Sequence, residues 1–148
     1  MKYITISFLA CLIDLYSNHI INISMKRKEK REIIPDKLYF INDKNEGIAY
    51  NKLKERPKLV KVITAAITAF FGVFFFKTAA DKGVNLGVKI GSALVFGGAL
   101  GNLIDRIKNG CVTDFIYVKA IKKSPIFNIA DACIMVGVIF MGFFDLKK

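Results

Sequence analysis

The sequence predicts an all-α integral membrane protein with four transmembrane helices and a small β element in the first loop, outside the membrane. Hydrophobic residues make up 53% of the 148 residues and are concentrated rather than spread. A helix needs about 20 apolar residues to cross the hydrocarbon core of a bilayer, and four runs approach that length. The predicted spans cover about residues 3–23, 59–76, 84–104 and 126–144 of a single membrane domain, residues 1–148.

The first span could also be interpreted as a cleaved signal sequence that ends at Cys11. Only Lys2 precedes the apolar run as a basic residue, and the run continues well past the cysteine. A signal sequence has a short apolar region with a basic segment before it, so an uncleaved first span fits better.

The first loop, residues 24–58, is polar and opens with the charge run Lys26–Glu32, which is typical of a solvated strip. After it, Lys37–Asp43 alternates weakly between apolar and polar residues. The string Asn42–Gly47 is rich in turn formers and suits a hairpin. A small β element is therefore expected in this loop.

The second span argues against a soluble helical bundle, the competing fold. Helices of a soluble bundle alternate apolar and charged faces with a period near 3.6 residues. The segment Thr64–Phe76 carries no charge on any face. The pattern therefore favours a membrane helix.

The third span is rich in small residues. Gly87 and Gly91, like Gly97 and Gly101, are spaced so that two glycines lie one turn apart on a helix face. Such faces let a neighbouring membrane helix approach closely. The pattern predicts close helix packing and no chemistry.

The second loop, residues 105–125, emerges on the same side as the first loop because consecutive spans alternate in direction. Lysine and arginine number 11 in the first loop and 5 in the second, against 6 for Lys2, Lys77, Lys82, Lys89, Lys147 and Lys148 together. The positive-inside rule would place both loops in the cytoplasm, but it weakens for long loops and folded segments. Charge alone therefore leaves the orientation in conflict.

Polar residues cluster around the second loop. Asn102, Asp105 and Arg106 share a helix face by their spacing, and so do Asn128 and Asp131. An ionisable side chain in mid-membrane costs about 2.5 to 3.5 kcal/mol, so such residues are usually functional. Asp105 has an equally good structural explanation, because its neighbour Arg106 can neutralise it.

Asp131 has no basic residue near it in sequence and lies about 7 Å inside a span that begins at Ile126. Asp114 stands among apolar residues, which indicates a loop that dips back towards the membrane. These two carboxylates can therefore meet. A pair that shares one proton can activate water with one carboxyl and protonate the oxyanion with the other, which is the chemistry of peptide hydrolysis.

The sequence contains few residues that would support other classes of function. The net charge of +11 fits anionic lipid headgroups better than nucleic acid. The three cysteines lack metal-ligand spacing, His19 is the sole histidine, and no glycine-rich phosphate loop is present. We therefore expect membrane lipids as partners, with no metal, cofactor or nucleic acid.

Three motifs around the second loop, in this order, resemble those of the lipoprotein signal peptidases, which are type II signal peptidases and intramembrane aspartic proteases. They are Gly101-Asn102-x-x-Asp105-Arg106, Val112-x-Asp114-Phe115 and Phe127-Asn128-x-Ala130-Asp131. The resemblance implies that Asp114 and Asp131 form a catalytic dyad. It also implies removal of the signal peptide from diacylglyceryl-modified prolipoproteins, before the lipidated cysteine, without a cofactor and with inhibition by globomycin.

The first loop carries the family pattern Asn-x-Gly-x-Ala-aromatic as Asn45–Tyr50, with Tyr where Phe or Trp is usual. The resemblance implies the following substrate-binding or supporting residues: Asp14, Asn45, Gly47, Asn102, Asp105, Arg106, Asn128 and Ala130. One departure is clear. Where the first span of the family ends its Asp-Gln-x-(Thr or Ser)-Lys pattern with lysine, this chain has Asn18, so any anchoring or charge-pairing role of that lysine is absent.

The resemblance further implies a monomer in the bacterial cytoplasmic membrane, with both termini in the cytoplasm and the active site towards the outer leaflet. An alternative from another class is a small four-span ion or proton transporter, with Asp14, Asp105 and Asp131 as relay carboxylates. A second enzyme alternative is another intramembrane aspartyl protease, such as a prepilin peptidase, although the neighbouring residues differ.

Overall fold

The computed structural model describes residues 1–48, 51–119 and 124–145, of which only the backbone is described at residue 145. The elements in chain order are α1 Lys2–Ser24, β1 Lys30–Ile34, β2 Leu38–Asn45, α2 Pro57–Ala80, α3 Leu86–Asn109, β3 Val112–Val118, β4 Ile126–Phe127 and α4 Ile129–Asp145. The helices α1, α2 and α3 are long and apolar enough to cross a membrane, and Ile129–Phe144 is a shorter apolar helix. The predicted helical membrane protein is thus confirmed in outline.

Helices α2 and α3 begin, and α3 ends, at residues that suit these positions. Pro57 opens α2, where its missing N–H and fixed φ suit the first turn. Asn85 caps α3 by accepting a hydrogen bond from the backbone N–H of Gly87 at 2.8 Å. Gly110 ends α3 in the left-handed conformation with φ 76°, which glycine adopts without strain. The chain turns there directly into β3.

The β element predicted in the first loop is present as β1 and β2, but the sheet extends beyond that loop. The four described strands form one antiparallel sheet in the order β1-β2-β3-β4, so it draws on both loops. Residues 112–118, expected as a loop that dips towards the membrane, form β3. Pairing with β2 satisfies the backbone of this segment, whose first four side chains are buried.

The predicted hairpin also turns at a different place. The chain reverses between β1 and β2 near Asp36, which has φ 56°, and Lys37 donates its N–H to the Ile34 carbonyl at 3.1 Å. Most of Asn42–Gly47, expected as the turn, lies in β2 because it pairs with β3. The charge run Lys26–Glu32 is largely exposed as expected, but its second half belongs to β1.

The fourth helix begins later than its apolar run. The span was predicted to start at residue 126, but Ile126 and Phe127 pair with Tyr117 and Ile116 of β3. Helix α4 therefore starts only at Ile129, and a short strand leads the chain into it.

Helix α3 lies against each of the other three helices. A Cβ atom added at Gly91 would lie 2.5 Å from the Gly137 carbonyl of α4, and one at Gly97 would lie 2.4 Å from the Ser7 carbonyl of α1. Towards α2 the contact is polar, since the Thr68 hydroxyl donates to the Ala99 carbonyl at 3.2 Å. The predicted close approach at the glycines is confirmed. It brings α1 and α4 against two different faces of α3.

Replacing Gly91 with alanine should destabilise the protein by about 1 to 3 kcal/mol, because the added methyl group meets backbone that cannot move freely. Gly142→Ala on α4 is the matched control, since a Cβ atom there meets nothing within 4 Å. Thermal unfolding in detergent micelles measures both variants. A Gly91→Ala protein as stable as Gly142→Ala would contradict the packing described above.

Candidate active site

The two carboxylates singled out in the sequence are carried by adjoining elements. Asp114 lies on β3 and is only 6% exposed, and Asp131 is half-buried in the first turn of α4. Strand β2 runs beside β3, so Asn45 reaches Asp114. Its side-chain amide donates to Asp114 Oδ2 at 3.0 Å.

Asp131 is held by two asparagine side chains. Asn102 on α3 donates to Asp131 Oδ1 at 3.0 Å, and Asn128 donates in turn to Asn102 Oδ1 at 2.9 Å. Asn128 Oδ1 accepts the backbone N–H of Asp131 at 2.8 Å. Asn128 therefore caps the start of α4, as short polar side chains do, and orients the amide that holds the carboxylate.

The surroundings of Asp114 favour its protonated form. Its pKa is raised to about 7, chiefly by burial and also by the negative charge of Asp131. The hydrogen bond from Asn45 and the positive charge of Arg106 lower the pKa but do not offset the burial. Asp114 can therefore take up or release a proton near neutral pH.

Arg106 places a positive charge beside both carboxylates. Its guanidinium is 7% exposed and feels the charges of Asp114 and Asp131. Nη2 donates to the Gly47 carbonyl at 2.8 Å, while Nη1 lies 3.4 Å from the Asn102 carbonyl. The buried Nε atom has no hydrogen-bond partner among the described residues. Arg106 thus ties the segment after β2 to helix α3.

Gly47 is required by the fold of that segment. A Cβ atom there would lie 2.1 Å from the Lys52 carbonyl, and the Gly47 N–H is shared between Asn45 Oδ1 and Asn51 Oδ1. Ala49 and Tyr50, the last two residues of the first-loop pattern, lie outside the described residues.

The predicted site residues fall into two groups. Asn102 and Arg106 face the carboxylates of Asp114 and Asp131, but Asp105 turns towards α1 and accepts hydrogen bonds from Asn18 at 2.8 Å and Asn109 at 3.1 Å. Its side-chain hydrogen-bond donors among the described residues are therefore asparagines rather than the neighbouring Arg106.

Asp14 belongs to the second group and is fully buried. It accepts hydrogen bonds from Asn18 at 3.1 Å and from the backbone N–H of Ala130 at 2.8 Å. Sequence reasoning noted Asn18 only as a missing lysine and did not identify it as the bridge between Asp14 and Asp105. The spacing of four residues from Asp14 was the available signal.

A cavity of about 280 Å³ opens beside Asp114 and is lined in part by Asn45, Asn51 and Ile126. Among the described residues, no three His, Cys, Asp or Glu side chains are grouped so as to hold a metal ion. The site thus offers two carboxylates whose charges act on each other, of which Asp114 lines the cavity, oriented by amides and neighboured by one guanidinium. This arrangement suits general acid–base chemistry on a water molecule.

Known proteins resemble this chain over almost its whole length. The sequence profile described as signal peptidase (SPase) II matches residues 6–146. The lipoprotein signal peptidase of Staphylococcus haemolyticus is 35% identical over 94% of this chain and 89% of its own length. That of Staphylococcus epidermidis is 38% identical over 94% and 88%.

Two solved structures, described as a bacterial membrane enzyme obtained by the in meso method, share the fold. Their TM-scores are 0.86 and 0.85 at 35% and 34% identity. The match covers 99% of this chain and 88% and 94% of theirs. By profile, relatives and structure together, the chain belongs to the signal peptidase II family, a family of bacterial membrane proteases.

Proposed function

We propose that this enzyme removes the signal peptide from diacylglyceryl-modified prolipoproteins by cutting just before the lipidated cysteine, with water activated by Asp114 and Asp131. The relatives named lipoprotein signal peptidase support the substrate class. The observation that carries the mechanism is the buried Asp114, whose pKa of about 7 reflects burial and the charge of Asp131. One proton shared by such a pair provides a base and an acid at neutral pH.

In this mechanism a water molecule lies between the two carboxyl groups and the scissile carbonyl. The ionised carboxylate takes a proton as the water attacks, and the protonated one stabilises the developing oxyanion. Collapse of the tetrahedral intermediate then transfers a proton to the leaving amine.

The supporting residues keep this pair in place. Asn45 and Asn102 each donate to one of the carboxylates, and Asn128 fixes the orientation of Asn102. The charge of Arg106 limits the repulsion between Asp114 and Asp131. Because Arg106 also binds the Gly47 carbonyl, it holds the segment after β2 over the site.

The same geometry supports a proposal for the membrane placement. We propose four spans in the bacterial cytoplasmic membrane, a monomer with both termini in the cytoplasm, and the sheet outside. Asp14 lies ten residues before the end of α1, about 15 Å along the axis, and binds the backbone at the start of α4. Helix α4 can therefore be short, because it starts below the membrane surface.

The basic first loop does not contradict this orientation. Its 11 lysine and arginine residues count against it, but some of them belong to a folded sheet, and the positive-inside rule weakens for folded segments. A substrate anchored by its lipid in the outer leaflet can then reach Asp114 and Asp131 from that side.

Replacing either Asp114 or Asp131 with asparagine should lower the cleavage rate by about 100-fold or more, because each variant loses one proton-transfer group. Asp36→Asn, an exposed surface change, is the matched control. The assay is the processing of a lipidated prolipoprotein by purified enzyme, with unlipidated substrate and globomycin as checks. A dyad variant that retains the wild-type rate would overturn the assignment, and cleavage of unlipidated substrate would overturn the substrate class.

Replacing Asn45 with alanine should move the pH profile of kcat/KM to higher pH by about one pH unit. The amide stabilises ionised Asp114, so its removal raises the pKa of that carboxyl. The limb of the profile that Asp114 controls moves to higher pH, whether the ionised or the protonated form of Asp114 is the active one. Asn85→Ser keeps the cap at the far end of α3 and serves as the control, and a profile that stays unchanged or moves to lower pH would contradict the prediction.

Single cysteines in a cysteine-free background should report the orientation. A cysteine at Lys26 is expected to react with a membrane-impermeant maleimide added to intact cells, whereas one at Lys82, in the turn between α2 and α3, should react only after permeabilisation. Both positions are exposed in the fold. The reverse pattern would place the sheet in the cytoplasm.

A further inference from the structure

A second group of carboxylates lies deeper than the candidate active site. Asp14 and Asp105 are 0% and 4% exposed, and the only side chain that bridges them in the described structure is Asn18. The charges of Asp105 and Asp131 both act on Asp14. Asn18 Oδ1 is buried and has no hydrogen-bond partner among the described residues. Burial disfavours the ionised form of a carboxyl, so a nearby cation is needed wherever either acid is to be ionised.

Lys44 on β2 is placed to supply that charge. Its Nζ donates to the Thr113 hydroxyl at 2.9 Å and also to Asn22 Oδ1 on α1. Thr113 interacts through its backbone N–H with the Asp105 carboxyl, and the charge of Lys44 also acts on that carboxyl. Burial lowers the pKa of Lys44, and the negative charge of Asp105 counteracts that effect.

Other basic side chains in the area are Lys108, which is exposed and lines a cavity of about 250 Å³ beside Asp105, and Arg106, whose partners differ. Arg106 donates to the carbonyl oxygens of Gly47 and Asn102 and lies beside the charges of Asp114 and Asp131. Lys44 is therefore the basic side chain whose contacts lead to the deeper carboxylates.

We propose that Lys44 is the counter-ion of the buried Asp14–Asn18–Asp105 network and, through it, a positioning residue for Asp131. The sheet would thereby provide the charge that a lysine at position 18 of α1 would otherwise carry. The expected effect on catalysis rests on the proposed function. The interaction of Lys44 with the network does not depend on that function.

The route from the network to Asp131 is short. Asp14 Oδ1 accepts the backbone N–H of Ala130, the residue before Asp131. Ala130 is 0% exposed, and a Cβ atom added at Gly98 would lie 2.5 Å from its carbonyl. The backbone of the first turn of α4 is thus held from α1 on one side and α3 on the other. A change in the charge state of Asp14 or Asp105 changes one of these two restraints.

Replacing Lys44 with methionine should lower kcat about tenfold, on the scale of one lost charge-assisted contact, and leave KM nearly unchanged. Lys44→Arg should keep most of the activity, and Lys37→Met, an equal charge loss at an exposed turn, is the matched control. Because Lys44 also lines the cavity beside Asp114, a change in KM alone would assign it to substrate binding and overturn the proposal.

Moving the charge provides the stronger test. In the Lys44→Met protein, Asn18→Lys should restore most of the lost kcat, because an ammonium at position 18 donates to both carboxyls without an orphaned acceptor. Lys44→Met should also have less than about a twofold effect on kcat in an Asp105→Asn background, where one carboxylate no longer needs a counter-ion. Additive effects of Lys44→Met and Asp105→Asn would overturn the proposal even if the Asn18→Lys chain failed to fold.

Thermal unfolding of the same variants separates this inference from the proposed function. Coupling between positions 44 and 105 should appear in Tm whatever the substrate is. Coupling in Tm without any prolipoprotein cleavage by the wild-type enzyme would overturn the proposed function alone. Wild-type cleavage without coupling in either measurement would overturn the role of Lys44 alone.

Discussion

Asp14 and Asp105 are buried between the helices and Asp131 is half-buried at the start of α4, and the needs of these carboxylates constrain the rest of the fold. A carboxylate removed from water needs hydrogen-bond donors and a balancing charge. Here the donors are mostly asparagine amides, which can donate to one partner and accept from another. Asn18, Asn102 and Asn128 each lie between two elements, so satisfying the acids also joins the helices.

Helix α3 makes these arrangements possible because its glycines bring two other helices close. Gly98 admits the carbonyl of Ala130 from α4, and a Cβ atom at Gly101 would lie 2.9 Å from Asp14 Oδ2 on α1. Between membrane helices, close backbone approach replaces the hydrophobic effect as the source of cohesion. The same residues that let the helices pack therefore also bring the polar groups of three helices within hydrogen-bond distance.

The sequence predicts the helical cores and the polar positions well, because each depends on local pattern. Apolar runs place α1, α2 and α3, and the spacing of Asn128 and Asp131 reveals a shared face. It does not predict the pairing of β2 with β3, since residues about 70 apart in sequence meet there only after the helices have packed. The sequence also does not predict that Lys44 and Asp105 interact. The two residues are far apart in the chain, one on a strand of the first loop and the other near the end of α3.

Strand β3 carries Asp114, and its two-residue ladder with β4 leads directly into the helix that carries Asp131. The separation of the two carboxyl groups is thus set by strand register and helix phase. An extra residue between Phe127 and Asp131 would rotate the second carboxyl by about 100° around α4 and part the pair. The length of the connection between β3 and β4 does not affect the separation of the two carboxyl groups. Natural variation in chain length is therefore expected before Ile126, and strict spacing after it.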